Sequence, residues 1–455
     1  LTPARQHRSL PMSETAETQN ANGAPYVTCH QCGCQSILAE LFRQRGGEYT
    51  CPGCLEDEAN QKGQTYLWAL GGLTIFFSLV AFLPFGQPPL LVALANLAWL
   101  FIALALLVPW HELGHVIALW LMRGRLFAVR WGSGGDIRRW RWRGVAIYVG
   151  RNLFSGFTMG GFLERTALPV RFTVYILGGI VANLVLAGLL LWWHSDKPMR
   201  LLGDGIFWSE MLILASLIQA MGALLPIRAS VGAIKVPTDG AWLLQLLTGR
   251  LKPELIQQLY FANGVMQASA FDDAAAMSEI AAQAMDRYPD EQWAREMDMI
   301  DKVMRGNGAE SLGWYGQAIE SSPSLTGPQR AVLLNNAAWS GLLVGGEQQL
   351  ATALERARLA FGMMPWFAPI RGTYGSLLVE HGDLKSGTAH LQWALAHHQG
   401  TRDKGLVTAY LALASALDAE FDQASTLICD AECLAGGNPL IERTRERIDA
   451  LIRSV

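Results

Sequence analysis

His111, Glu112 and His115 form a His-Glu-x-x-His pattern, the arrangement most suited to chemistry in this 455-residue chain. On a helix, residues four apart project from one face, so two neutral imidazoles can occupy adjacent positions around a Zn²⁺ ion. Glu112 then lies beside the metal as general base for a water whose pKa the ion lowers toward about 7. The pattern sits inside an apolar run from about Leu90 to Met122. A charged side chain at the bilayer centre costs about 2.5–3.5 kcal/mol on insertion scales, so two histidines and a glutamate there need a chemical reason. The plainer alternative is polar residues lining a pore or a helix contact.

A second metal pattern lies near the amino terminus, where Cys29-x2-Cys32 and Cys51-x2-Cys54 have the spacing of a two-knuckle zinc site. Each pair offers two thiolates, and Gly33 and Gly53 follow as knuckle glycines. The residues from Ile37 to Thr50 are expected to form a hairpin turning at Gly46-Gly47. This predicts a structural zinc ribbon with four cysteine ligands, with Cys34 either replacing one of them or remaining free; a disulfide framework is the alternative, disfavoured on a reducing side. Cys429 and Cys433 have no second pair and are expected in the core.

The elements that must position these groups are mostly apolar helices. The chain is 51% hydrophobic with a mean hydropathy of +0.20. The apolar residues concentrate between about Tyr66 and Leu247. Four segments are expected to span a bilayer: Tyr66–Phe85, Leu90–Met122, Phe172–Trp193 and Ile206–Leu225. Between the second and third, Arg123 to Arg171 includes ten arginines against Asp136 and Glu164. This bias puts that loop in the cytoplasm and, with four spans, both termini as well, leaving the short loops at Gly86–Pro89 and His194–Gly205 outside. The arginines read as topogenic charge or as a surface for anionic lipid or substrate. A net charge of −3 gives no sign of nucleic acid as a partner. No secretory signal is expected, because the first apolar run follows a polar cysteine module, and residues 1–28 are expected to be a disordered leader.

The region from about Leu90 to Thr248 resembles the site-2 protease family of intramembrane zinc metalloproteases. The likeness rests on His111-Glu112-Leu113-Gly114-His115 and on a basic, Gly-rich segment from Gly124 to Gly161 similar to the family's strand-rich insertion. It rests also on Gly178-Gly179-Ile180-Val181-Ala182-Asn183 and on Leu224-Leu225-Pro226-Ile227 followed by Pro237-Thr238-Asp239-Gly240. The resemblance implies that Asp239 is the third zinc ligand, which agrees with a catalytic site's need for three protein ligands and an open position. An ordinary helix N-cap is the alternative for Asp239. Asn183 is expected to bind substrate, polarising the scissile carbonyl or an extended backbone, or else to be a helix-packing contact. Two positions depart from the family pattern: Gly179 stands where Pro is usual, and Ala223 where Asn is frequent before Leu-Leu-Pro.

Beyond about Leu251 the chain reads as polar, Ala-rich helix. Ala338, Gly375 and Ala412 recur at a period of roughly 37, with Gly387 and Ala394, then Ala424 and Ala431, as matching landmarks. The pattern resembles tetratricopeptide repeats, which bind a protein or peptide on a concave face; a plain helical bundle is the alternative. His397 and His398 are expected to face solvent.

The fold class expected is therefore mainly α. Its parts are a β zinc ribbon at 29–60, a polytopic core of about four spans at 66–250, a helical connector at 251–330 and helical repeats at 331–455. The function expected is an intramembrane zinc endopeptidase with one catalytic and one structural Zn²⁺, acting on a transmembrane protein substrate in the bilayer. The alternative is a non-proteolytic membrane scaffold or metal-binding regulator that recruits a partner through the repeats.

Overall fold

The computed structural model describes residues 26–45, 47–81, 88–194, 207–231, 234–321, 325–398 and 400–454. Residues 1–25 of the expected leader, Gly46 of the expected turn, Phe85, Ile206 and most of the two outward loops lie outside the described residues. Two compact units are present, one of residues up to Cys54 together with Ala268–Val455, the other Leu55–Gln267.

The first unit opens with two small hairpins. Strand β1 (Val27–Thr28) pairs antiparallel with β2 (Gln35–Ser36), and β3 (Arg43–Arg45) with β4 (Glu48–Thr50). The first strand thus begins inside the span expected to be leader. Between β1 and β2 the chain folds into a tight knuckle, with Cys29 N donating to Cys34 O and Gly33 N to Cys29 O, both at 2.9 Å. Gly33 has φ +72°, a left-handed backbone that only glycine adopts without strain. Gly53 has a different reason: a Cβ there would lie 3.0 Å from Cβ of Trp366.

Among the described residues, three helices are long and apolar enough to cross a membrane: α1 (Pro52–Ala81), α2 (Pro89–Leu121) and α3 (Leu168–Trp193). Helix α2 continues through Pro109 without ending. Between α2 and α3, strands β5 (Arg125–Trp142) and β6 (Val145–Gly161) fold back on themselves. Residues 125–131 pair with 156–161 on one side, 128–131 also pair with 146–149 on the other, and 138–142 complete the sheet against 145–149. The fourth expected span is helix α4 (Trp208–Leu224), 17 residues, about 26 Å long against a hydrocarbon core of about 30 Å. A short hairpin, β7 (Arg228–Val231) with β8 (Ile234–Pro237), leads into α5 (Asp239–Leu247).

Glycines set the closest helix approach. A Cβ on Gly114 of α2 would fall 2.3 Å from the Gly178 carbonyl of α3, and one on Gly178 would fall 2.5 Å from that of Gly114. Backbone contact of this kind holds apolar helices together where burial of oil against oil gives no drive.

Helix α6 (Pro253–Ala270) shows why the second unit runs to Gln267 rather than closing near Arg250. Its Gln257 Nε2 donates to Leu163 O at 3.0 Å and its Asn263 Nδ2 to Gly160 O at 3.1 Å. Gln267 donates to Gly144 O, and Tyr260 packs edge-on to Phe127, with ring centroids 5.1 Å apart.

Ten further helices complete the first unit: α7 (Ala274–Arg287), α8 (Gln292–Met304), α9 (Gly308–Ser321), α10 (Gly327–Val344), α11 (Glu347–Met363), α12 (Ala368–Glu380), α13 (Leu384–His397), α14 (Thr401–Leu417), α15 (Phe421–Ala435) and α16 (Pro439–Arg453). Helices α10 and α11, α12 and α13, and α14 and α15 pack pairwise. The recurring small residues stand where they pack: Ala338, Ala394, Ala412, Ala424 and Ala431 are fully buried, and a Cβ on Gly375 would lie 3.1 Å from Gly387 O.

Two expectations fail here. Cys429 and Cys433 are exposed, not core residues; they lie off the α15 face that buries Ala424, Ile428 and Ala431, and Cys429 Sγ accepts from Arg445 at 3.4 Å. His397 and His398 do not simply face solvent: His398 is buried, and the His397 ring stacks on Trp393 at 3.7 Å between centroids.

Candidate metal centres

Helix α2 brings His111 and His115 to one face, and the β7–β8 hairpin returns the chain so that α5 begins beside them. The three groups gather closely. His111 Nε2 is 3.2 Å from His115 Nε2, and Asp239 Oδ2 is 3.1 Å from the first and 3.4 Å from the second. Nitrogen and oxygen ligands about 2.0–2.1 Å from a tetrahedral ion stand about 3.3–3.4 Å apart, so these distances match three edges of such a tetrahedron.

The N-cap of α5 is Thr238, whose Oγ1 accepts from Ala241 N at 3.4 Å. With the cap supplied by its neighbour, the Asp239 carboxylate is available to the histidines. Gly240 permits the approach, since a Cβ there would overlap the Leu224 carbonyl at 2.0 Å.

The surrounding hydrogen bonds also fit a metal. His115 Nδ1 donates to Tyr175 O at 2.8 Å, which leaves the Nε2 lone pair for an ion. Asn183, fully buried, has its carboxamide nitrogen 3.1 Å from His111 Nδ1 and 3.4 Å from Gln219 Oε1. Among the described residues its Oδ1 is buried without a partner. Ligation through His111 Nε2 leaves a proton on Nδ1 that needs an acceptor. Turning the amide, whose oxygen and nitrogen are nearly isosteric, puts Oδ1 in that place as the acceptor of that proton, at the cost of the bond to Gln219.

Glu112 is 4% exposed, and its Oε2 accepts from Thr158 Oγ1 of the sheet at 2.7 Å. Gly156 keeps room beside the other oxygen, since a Cβ there would stand 2.9 Å from Glu112 Oε1. Gly179 faces the ligands directly: a Cβ would lie 2.5 Å from His111 Nε2 and 2.6 Å from His115 Nε2. Glycine at this position thus has a steric cause. Thr158, Tyr175 and Gln219 were not singled out from sequence. Nothing in their spacing marks them, because their partners lie 36 to 60 residues away.

The second centre is the cysteine cluster, where the ligand atoms of Cys29, Cys32, Cys51 and Cys54 all lie within 4.8 Å of one another. Cys32 and Cys51 sulfurs are 3.7 Å apart, close to the edge of about 3.8 Å for thiolates about 2.3 Å from a tetrahedral ion. Backbone amides point at the sulfurs, Cys51 N to Cys29 Sγ at 3.3 Å and Cys54 N to Cys51 Sγ at 3.4 Å, an arrangement that stabilises thiolate over thiol. Both clusters have donor sets and spacings that fit a divalent metal. No family model matches the chain, and neither a curated protein nor a solved structure matches it.

Proposed function

We propose that the chain is an intramembrane zinc endopeptidase of the site-2 protease kind, cleaving transmembrane protein substrates in regulated proteolysis. The observation that carries the reading is the convergence of His111, His115 and Asp239 to 3.1–3.4 Å, with Glu112 next to His111 in sequence, on a helix long and apolar enough to cross a membrane. Three protein ligands leave a fourth position open, which distinguishes a catalytic from a closed structural zinc site. The metal, when bound, supplies Lewis acidity and an acidified water.

The protein groups do the rest. Thr158 holds one oxygen of Glu112, leaving Oε1 to take a proton from the attacking water. As the new carbon–oxygen bond forms and the peptide carbon–nitrogen bond breaks, Glu112 returns that proton to the departing amine. Tyr175 and Asn183 orient the two imidazoles. Burial of Glu112 keeps bulk water out, so that charges act at full strength. Substrates are single-span helices that have locally unwound, because a hydrogen-bonded helix shields its scissile carbonyl. In this reading the four-cysteine ribbon holds a structural zinc, and the paired helices α10–α15 are tetratricopeptide-like repeats that bind a protein or peptide. Both then lie on the cytoplasmic side.

The test is Glu112→Gln. The variant is expected to keep two metals per chain and to lose cleavage of a membrane-protein substrate by at least about a hundredfold. Undiminished cleavage overturns the assignment and favours the scaffold reading.

A further inference from the structure

The ribbon does not stand apart from the helices of its own unit. Ser36 is fully buried, and its Oγ donates to the Met363 carbonyl at 2.6 Å, a bond between residues 327 apart in sequence. Phe42 meets Trp366 edge-on, with ring centroids 5.3 Å apart. The Trp366 side chain belongs to the same apolar cluster as Val27, Cys29, Phe42, Cys51 and Cys54. Leu38 fills the space over Gly327, where a Cβ would fall 2.3 Å from its Cδ2. Ser36, Phe42 and Gly53 thus enclose the four-residue corner between α11 and α12, while Leu38 touches the start of α10.

A charge completes the contact. Arg371, one turn into α12, places its guanidinium 4.2 Å from the centroid of Trp393 and donates from Nε to His390 Nδ1 at 3.2 Å. It also interacts electrostatically with Cys34 and Cys32. Four thiolates around one divalent ion carry a net charge of −2, and this side chain supplies an opposing charge from the helical stack.

We propose that the ribbon is a metal-dependent latch on the α10–α12 corner of the helical stack, with metal occupancy of Cys29, Cys32, Cys51 and Cys54 setting the order of the Met363–Phe367 corner. The physical ground is size. With strands of two or three residues, the ribbon has too little core to fold without a metal, and the sulfurs it would gather form part of the surface that receives Trp366. Coupling between two binding events is reciprocal: if metal holds the latch closed, the closed latch must hold the metal. This inference rests on the ribbon's metal site and is independent of the protease reading.

The experiment uses the full chain in detergent. Hydrogen exchange is followed at 363–367, at the ribbon and at α15–α16, with zinc loaded, after chelation and after zinc is restored. Chelation is expected to speed exchange at 363–367 by about tenfold or more, reversibly, with α15–α16 unchanged. A Cys51→Ser variant, in which the site at His111 remains loaded, is expected to reproduce the effect. Trp366→Ala and Arg371→Gln are expected to weaken the ribbon's hold on metal by about tenfold in competition with a chelator, with Arg371→Lys recovering part of the loss. Unchanged exchange at 363–367 when the ribbon's own amides have lost protection overturns the latch, as does wild-type metal affinity in Trp366→Ala. Failure of the Glu112→Gln test would leave these outcomes untouched.

Discussion

Gly179 leaves no room for a methyl group: a Cβ there would press against both imidazole nitrogens at 2.5 and 2.6 Å, and α3 cannot retreat because Gly178 already touches the α2 backbone. Gly179→Ala is therefore expected to remove the metal at His111, His115 and Asp239 while leaving the cysteine site loaded. Elemental analysis of the purified variant should give one zinc per chain instead of two; two would show that α3 can yield. At this scale the sequence spoke clearly for His111 and His115, because the helical period alone puts them on one face, with Glu112 adjacent in the chain. It spoke less clearly for Asp239, whose freedom from capping depends on Thr238 taking that role. It was silent on Thr158 and Tyr175, which reach the site through a sheet and a helix whose register no local pattern encodes.

At the scale of elements, the α12–α13 pair holds a histidine that the fold requires to be neutral. Burial, then the neighbouring Arg371 charge, lowers the His390 pKa from 6.5 to about 4, and its Nδ1 accepts from Arg371 Nε. The unfolded chain takes up a proton on this ring near pH 6.5, while the folded chain resists until about pH 4. Its contribution to stability is thus complete above about pH 6.5 and is lost as pH falls toward 4. Thermal unfolding of the full chain should shift to lower temperature over that window, and His390→Gln, which retains an acceptor for Arg371, should flatten the shift. An equal shift in the variant would assign the pH dependence elsewhere. The helical character of this half was legible, and Ala338, Ala394, Ala412, Ala424 and Ala431 are buried where closely paired helices need small residues. The outward face of α15 was misread, since Cys429 and Cys433 look apolar in sequence and only the position of α16 and Arg445 shows which side of the helix is covered.

At the scale of the whole molecule, the division at Gln267 changes where the chain can be cut. Removing everything after Arg250 takes away Gln257, Tyr260 and Asn263, which satisfy the Leu163 and Gly160 carbonyls and cover Phe127. Removing everything after Gln267 spares them. The longer truncation product is expected to keep its metal at His111 and a cooperative melt; the shorter is expected to melt several degrees lower, in line with the loss of about 1–3 kcal/mol for each buried polar group left unpaired. Identical melting of the two would show that α6 adds nothing to the second unit.

The bond from Ser36 to Met363 has a consequence for the time during which the protein is being made. Its two ends are separated by 327 residues, and a ribosome adding about 5–20 residues per second needs roughly 15–65 s to cover that distance. The cysteine pairs have then long left the exit tunnel, while the corner that covers Phe42 and Ser36 is still untranslated. For that interval the nascent chain carries a small apolar surface with no covering of its own, and this is when a chaperone or a neighbouring nascent chain has access to it.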